Sequence, residues 1–259
     1  MSDDPHPQHL LPDPCRLGGP EWVRTSGGRL SAAQRRRMWR VALRTQRRLI
    51  TGRIGRRRSG ALDVESLLVI PDSRLVRTAE EAALSQPTAL LAHGYRTALF
   101  ARALAAVDGV ALDPELIVVC GLLHDAGLVP AVVGEDFTIR SAAAAVQAAR
   151  DADRPEVAAV VADAIVVHTT VGIDVDTDGA LGAYTQFGAL VDLIGLRERE
   201  LPHDLVARAV AAHPRIGFAS EISRAIRAEA KAVPDGRFAF LRRTGFIPAV
   251  HIAAVPSRR

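Results

Sequence analysis

Residues 120–128 read CGLLHDAGL, an apolar run that ends in His124 and Asp125 side by side before Ala126-Gly127. Two readings of that ending are open. The pair marks a helix terminus that meets water, or it offers one nitrogen and one oxygen to a single metal ion. The run leading into it opens at Asp113-Pro114-Glu115. This is a capping residue, a proline at the first helical position and an acid in the first turn. The spacing predicts a buried helix running to Asp125. Its last two residues are the first candidates for chemistry.

The same punctuation recurs along the chain. Ser31-Ala-Ala-Gln34 is a capping-box pattern. It predicts a basic helix from Ala32 to about Ile50, stopped by Gly52 and Gly55 and followed by an Arg56-Arg57-Arg58 loop. Pro71-Asp72-Ser73 starts a helix, and Pro87-Thr88 starts one that passes through His93 to about Val107. Further helices are expected over Ile139–Arg150, from Arg154-Pro-Glu to His168, over Leu181–Leu196, from Pro202, and from Phe218 to about Val233. Strand-like alternation is nearly absent, so the fold class is all-α.

The expected organisation is an arm and basic helix over 1–60, a helical domain over 71–232, and a tail over 233–259 that packs on the domain. Within the first part, residues 1–28 are rich in Pro and Gly and read as a flexible arm. The tail carries a Pro-interrupted apolar stretch, FIPAVHIAAVP, at 246–256.

The formal charge of +4 conceals an asymmetry. From Trp22 to Leu62 there are 13 arginines and no acid, which leaves 20 basic against 29 acidic residues elsewhere. The basic segment reads as a solvated amphipathic helix packed on an acidic domain. Contact with nucleic acid or an anionic surface through residues 24–58, or help in holding a phosphorylated substrate, are the alternatives. The two cysteines give no disulfide framework and fit a reducing, cytoplasmic setting. The start is acidic and Pro-rich, unlike a signal peptide, and no apolar stretch has the length of a membrane span.

Four positions in order combine imidazole and carboxylate with apolar surroundings: His93, His124-Asp125, His168 and Asp192. A buried carboxylate such as Asp192 is costly unless a metal or a hydrogen-bonded cation offsets it. Each residue alone is better read as a core histidine or a helix cap. The ordered set on separate helices is what argues for a metal.

That set resembles the HD-domain superfamily of metal-dependent hydrolases, from about Pro71 to Lys231. LLAHGYRTALFARALA (90–105) looks like the first-His helix of its cyanamide-hydratase-like branch, and ELIVVCGLLHDAGL (115–128) like the doublet helix. VADAIVVHTTVGI (161–173) and YTQFGALVDLIG (184–195) look like its two later landmarks. The resemblance implies an all-α HD bundle and His93, His124, Asp125 and Asp192 as metal ligands. Two-metal relatives need extra histidines between the doublet and the last Asp. Only His168 lies there, so one ion is expected, either Zn, Fe, Mn or Ni given the mixed nitrogen and oxygen donors. Gly94, Ala98 and Thr138 depart from the branch pattern at positions that line its pocket.

His168 is then expected to hydrogen-bond the attacking water or protonate the substrate. Arg96, one turn from His93, is expected to orient a ligand carboxylate or hold an anionic substrate. Asp125 is a candidate for ligand and proton acceptor at once, and the small Ala126-Gly127 are expected to leave room beside the ion. The implied activity is hydrolysis or hydration of a small molecule at a nitrile-like or amide-like centre. A phosphohydrolase acting on a nucleotide or other phosphate ester is the first alternative, and a non-catalytic scaffold or sensor the second. Oligomeric state is left open. Asp174-Val-Asp176-Thr-Asp178-Gly179 begins like an EF-hand loop, but its twelfth position is Thr185, so it reads as a polar turn.

Overall fold

A computed structural model describes residues 15–52 and 62–253, with side chains placed outside 44–52. The expected arm up to residue 14, the Gly55 stop, the Arg56–Arg58 loop and the end of the tail lie outside the described residues. The described chain holds fourteen α-helices and no strand, which establishes the all-α class. In order they are α1 (Pro20–Ser26), α2 (Ala32–Gly52), α3 (Val64–Leu68), α4 (Arg74–Ala83), α5 (Thr88–Asp108), α6 (Pro114–Leu123) and α7 (Phe137–Asp151). They continue as α8 (Ala158–Val167), α9 (Val175–Asp178), α10 (Ala180–Ile194), α11 (His203–Ala212), α12 (Phe218–Ala232), α13 (Arg237–Arg243) and α14 (Phe246–Ile252). None of the described helices is long and apolar enough to cross a membrane.

Local capping chemistry starts several of these helices. The Ser31 amide donates to Gln34 Oε1 at 2.7 Å and the Gln34 amide to Ser31 Oγ at 3.2 Å, the reciprocal pair of a capping box. Ser73 accepts from the Val76 amide, and Asp113 from the Glu115 and Leu116 amides. α5 is apolar nearly all round, so it lies inside the bundle and packs on α6, α10 and α12. Two glycines permit the closest crossings. A Cβ at Gly188 on α10 would sit 2.2 Å from the Thr97 carbonyl of α5, and one at Gly121 on α6 would sit 2.7 Å from Ala98 Cβ.

The departures from expectation are local. α6 stops at Leu123, so His124 and Asp125 lie just past its end. α8 is preceded by a separate 3-10 turn at Pro155–Val157. The segment after residue 14 is no loose arm: α1 forms there and Val23 is buried in the main core. The described part of the tail is largely helical. Pro248 falls in the first turn of α14, where a missing amide hydrogen costs little, and Ile247 and Val250 are buried. The EF-hand-like stretch contains the one-turn α9, and its Asp178 is buried against Arg16 at 2.9 Å.

The core has two main parts. A large cluster joins α4 to α8 and α10, and a second gathers Leu90, Leu128, Phe137, Phe218, Ile222 and Phe238 with the tail. A small third cluster of Leu30, Met38 and Phe240 fixes α2 to α13. There the Leu30 amide donates to the Asp235 carbonyl at 2.8 Å, and Arg29 and Gly236 form an isolated antiparallel bridge.

Candidate metal centre

The centre is assembled from helix interiors and helix ends. His93 projects from the middle of α5. His124 is the residue that ends α6 and His168 the residue that ends α8. Each of these two rings donates Nδ1–H to the carbonyl three residues back, Gly121 at 2.8 Å and Ile165 at 2.5 Å. His93 donates Nδ1–H to Asp192 Oδ2 at 2.7 Å. These partners assign the proton to Nδ1 in all three rings and leave each Nε2 with a bare lone pair.

The three Nε2 atoms face one carboxylate. Asp125 Oδ2 lies 3.9 Å from Nε2 of His93 and 3.5 Å from Nε2 of His124, and Oδ1 lies 4.0 Å from Nε2 of His168. Ligand atoms of His93, His124 and Asp125 all fall within 4.8 Å of one another. Nε2 of His93 and of His124 are buried and have no hydrogen-bond partner among the described residues. Acceptors aimed at a carboxylate have nothing to give each other, and a buried lone pair left unmatched is costly. A divalent cation between them satisfies the whole set, so the residues fit a metal. Burial holds the His93 and His168 imidazoles below their usual pKa, which keeps both rings neutral as ligands must be.

Asp192 was expected beside them as a ligand. The structure places it instead on the other ring nitrogen of His93, outside the three-residue cluster. Its carboxylate is fully buried. Arg96 grips it with two parallel bonds, Nε to Oδ1 at 2.8 Å and Nη2 to Oδ2 at 2.7 Å, and Arg215 Nη1 closes on Oδ1. Burial raises the Asp192 pKa, but the His93 hydrogen bond and Arg96 outweigh it and the group stays ionised. Arg96, expected to orient a ligand carboxylate or to hold an anionic substrate, is spent on Asp192, and its remaining Nη1 donates to the His213 and Pro214 carbonyls.

Aromatic rings wall the site. Phe218 stacks on His93 with centroids 4.8 Å apart, and Phe137 meets His168 edge-on at 5.9 Å. The Arg96 and Arg215 guanidiniums lie 5.2 and 4.9 Å from the Phe218 centroid. None of the four residues around the centre is more than 5% exposed. Gly127 has a different task from the one expected. A Cβ there would sit 2.4 Å from the Phe137 carbonyl and 2.7 Å from the Ser141 amide, so the glycine makes room for the start of α7 and not for an ion.

Residues 90–180 match the HD domain. HD domains are generally metal-dependent hydrolases, and the match spans His93, His124, Asp125 and His168 while ending before Asp192. No curated protein matches this chain. Sequence reasoning missed Arg215 and Phe218. Phe218 was read only as a helix start, and nothing in the local sequence of Arg215 signals that it reaches a carboxylate 23 residues earlier.

Proposed function

We propose that the chain is a metal-dependent hydrolase or hydratase that acts on a small neutral molecule at a nitrile-like or amide-like carbon. In this reading one divalent ion, Zn, Fe, Mn or Ni, is held by His93, His124 and Asp125, with His168 as the further nitrogen donor. Such an ion supplies Lewis acidity and makes water a nucleophile near neutral pH. The protein supplies the rest. Gly121 and Ile165 carbonyls fix the His124 and His168 tautomers, and Asp192 fixes that of His93. The carboxylate of Asp125 faces three imidazoles and is placed to take a proton from an attacking water. Phe218 against His93 and Phe137 against His168 give the site apolar walls.

The observation that carries the reading is how the nearby cations are spent. Arg96 and Arg215 are bound to Asp192, and Arg237 to Asp136 at 2.8 Å. Arg140 is bound to the Gly127 carbonyl and to Glu135. A phosphate ester needs guanidinium or ammonium groups turned toward it. Here the arginines around the centre are turned toward carboxylates and carbonyls, and the centre itself is closed. That favours a small uncharged substrate over a nucleotide. It also supports the likeness to the cyanamide-hydratase-like branch, while Gly94 and Ala98, expected on its pocket wall, lie instead where α5 crosses α6, and Thr138 is bound to Asp136 and Arg237.

The test is a turnover screen of the metal-loaded protein. Small nitriles and amides are assayed for hydration or hydrolysis, and nucleotides and phosphomonoesters for phosphate release. The reading expects turnover of the first group only, abolished in His124→Ala. Phosphate release with no turnover of nitriles or amides would move the chain to the phosphohydrolases.

A further inference from the structure

We infer that Asp192 is a positioning residue and not a metal ligand: it holds His93 in the one tautomer and orientation that turns Nε2 toward the centre. The inference rests on the metal centre proposed above and changes its composition, since the sequence resemblance implied Asp192 as a direct donor.

An ionised carboxylate offers about four lone-pair positions, two on each oxygen. Asp192 Oδ2 accepts from His93 Nδ1 and Arg96 Nη2, and Oδ1 accepts from Arg96 Nε and Arg215 Nη1. Four donors fill the four positions. No oxygen is left to meet a metal, and to become a ligand Asp192 would have to release at least one buried donor. Releasing a guanidinium here is expensive. Arg96 is wholly buried, and its loss of a partner would leave an uncompensated charge. Asp125, by contrast, accepts none of these bonds and already faces Nε2 of three rings.

The clamp has a second layer. Arg96 is anchored to the His213 and Pro214 carbonyls, and Arg215 reaches back to the Asp192 carbonyl as well as its side chain. The 213–215 segment therefore holds Asp192 from one side while α5 holds it from the other. Phe218 completes the arrangement, because the ring that stacks on His93 also lies against both guanidiniums. A chain of contacts thus runs from the α11–α12 connection through Arg215, Asp192 and His93 to the centre. Partners that orient a ligating histidine in this way are worth roughly 10–100-fold in metal affinity.

Nitrogen-15 NMR of the metal-free, full-length protein reads the His93 tautomer directly. The expected result is a protonated Nδ1 and a bare Nε2, with Nε2 alone perturbed when zinc is added. An Nε2-protonated ring, or a zinc-induced shift at Nδ1, overturns the inference. Asp192→Asn is then compared with wild type by cobalt titration. Cobalt affinity is expected to fall by about 10–100-fold while the visible absorption bands of the cobalt form keep their energies and intensities. Bands that report a lost donor would restore Asp192 to the ligand set. Should Asp192→Asn fail to fold, Arg215→Gln removes one donor from the edge of the clamp, and a weaker affinity with an unchanged spectrum is again expected. A wild-type protein that binds no metal defeats the proposed centre. The His93 tautomer still decides the present inference in that case.

Discussion

The His124 and His168 rings stand edge to face with centroids 5.0 Å apart, and each is the residue at which its own helix ends. Both spend Nδ1–H on a carbonyl of the preceding turn. Their placement is therefore set by two helix termini. Because α7 and α8 pack on α6, the bundle core fixes the distance between the rings.

Removing one of these donors should empty the centre. In His124→Ala, metal content measured by elemental analysis after purification is expected to fall from about one ion per chain to background, with the helical circular-dichroism signal retained. Asp125→Asn should behave alike. Wild-type metal content in both variants would remove the doublet from the site.

The crossing of α5 and α10 should be intolerant of one methyl group. Gly188→Ala places a Cβ against the Thr97 carbonyl, which is backbone and cannot rotate away. Overpacking of this kind costs about 1–3 kcal/mol. For a chain of this size that lowers Tm by roughly 2–10 °C. A scanning-calorimetry Tm equal to wild type would contradict the packing described. Gly127→Ala, which meets the Phe137 carbonyl, is expected to lower Tm as well.

The tail should be part of the fold's stability. Arg237 donates to Asp136 at 2.8 Å, to Thr138 at 2.7 Å and to the Val166 carbonyl at 2.8 Å, all buried. Burial raises the Asp136 pKa, Arg237 more than reverses this, and the carboxylate stays ionised. Arg237→Ala leaves that charge unpaired, and breaking a buried pair from one side costs about 3–5 kcal/mol. Urea denaturation should show the loss, and Asp136→Asn in the same background should recover part of it.

Glu229 should give stability a pH dependence. Burial pushes its carboxyl up to about 7, against the pull of the Phe137 amide that donates to it and of Arg140 and Arg237 nearby, with Asp136 adding to the rise. The folded value lies above the unfolded one. Between about pH 4.5 and 7 the folded protein thus keeps a proton that the unfolded chain has released, and stability falls as pH rises through that window. Tm of Glu229→Gln should lack this decline. Parallel Tm profiles for the two proteins would show that Glu229 does not titrate there.

Much of the helical plan was legible, because capping is local. Ser31, Ser73 and Asp113 announce their helices within three residues, and the structure shows each making the expected bond. The centre was legible in its members but not in their geometry. His93, the His124-Asp125 doublet and His168 converge, whereas Asp192 is drawn to the far nitrogen of His93 by Arg96 and Arg215. That outcome depends on a loop 23 residues downstream, and no local pattern encodes it. The same holds for α1 and α14. Their apolar residues are too few to show a period, and they are ordered by what they land on.

The bridge between Arg29 and Gly236 has a mechanical consequence. It fastens the segment before α2 to the segment before α13, so the bundle between them is closed like a belt by its buckle. Tension or proteolytic nicking applied at either side loads the same fastening. The first sub-global opening should therefore free α2 and α13 together, with hydrogen exchange at Leu30 and Phe240 rising in step.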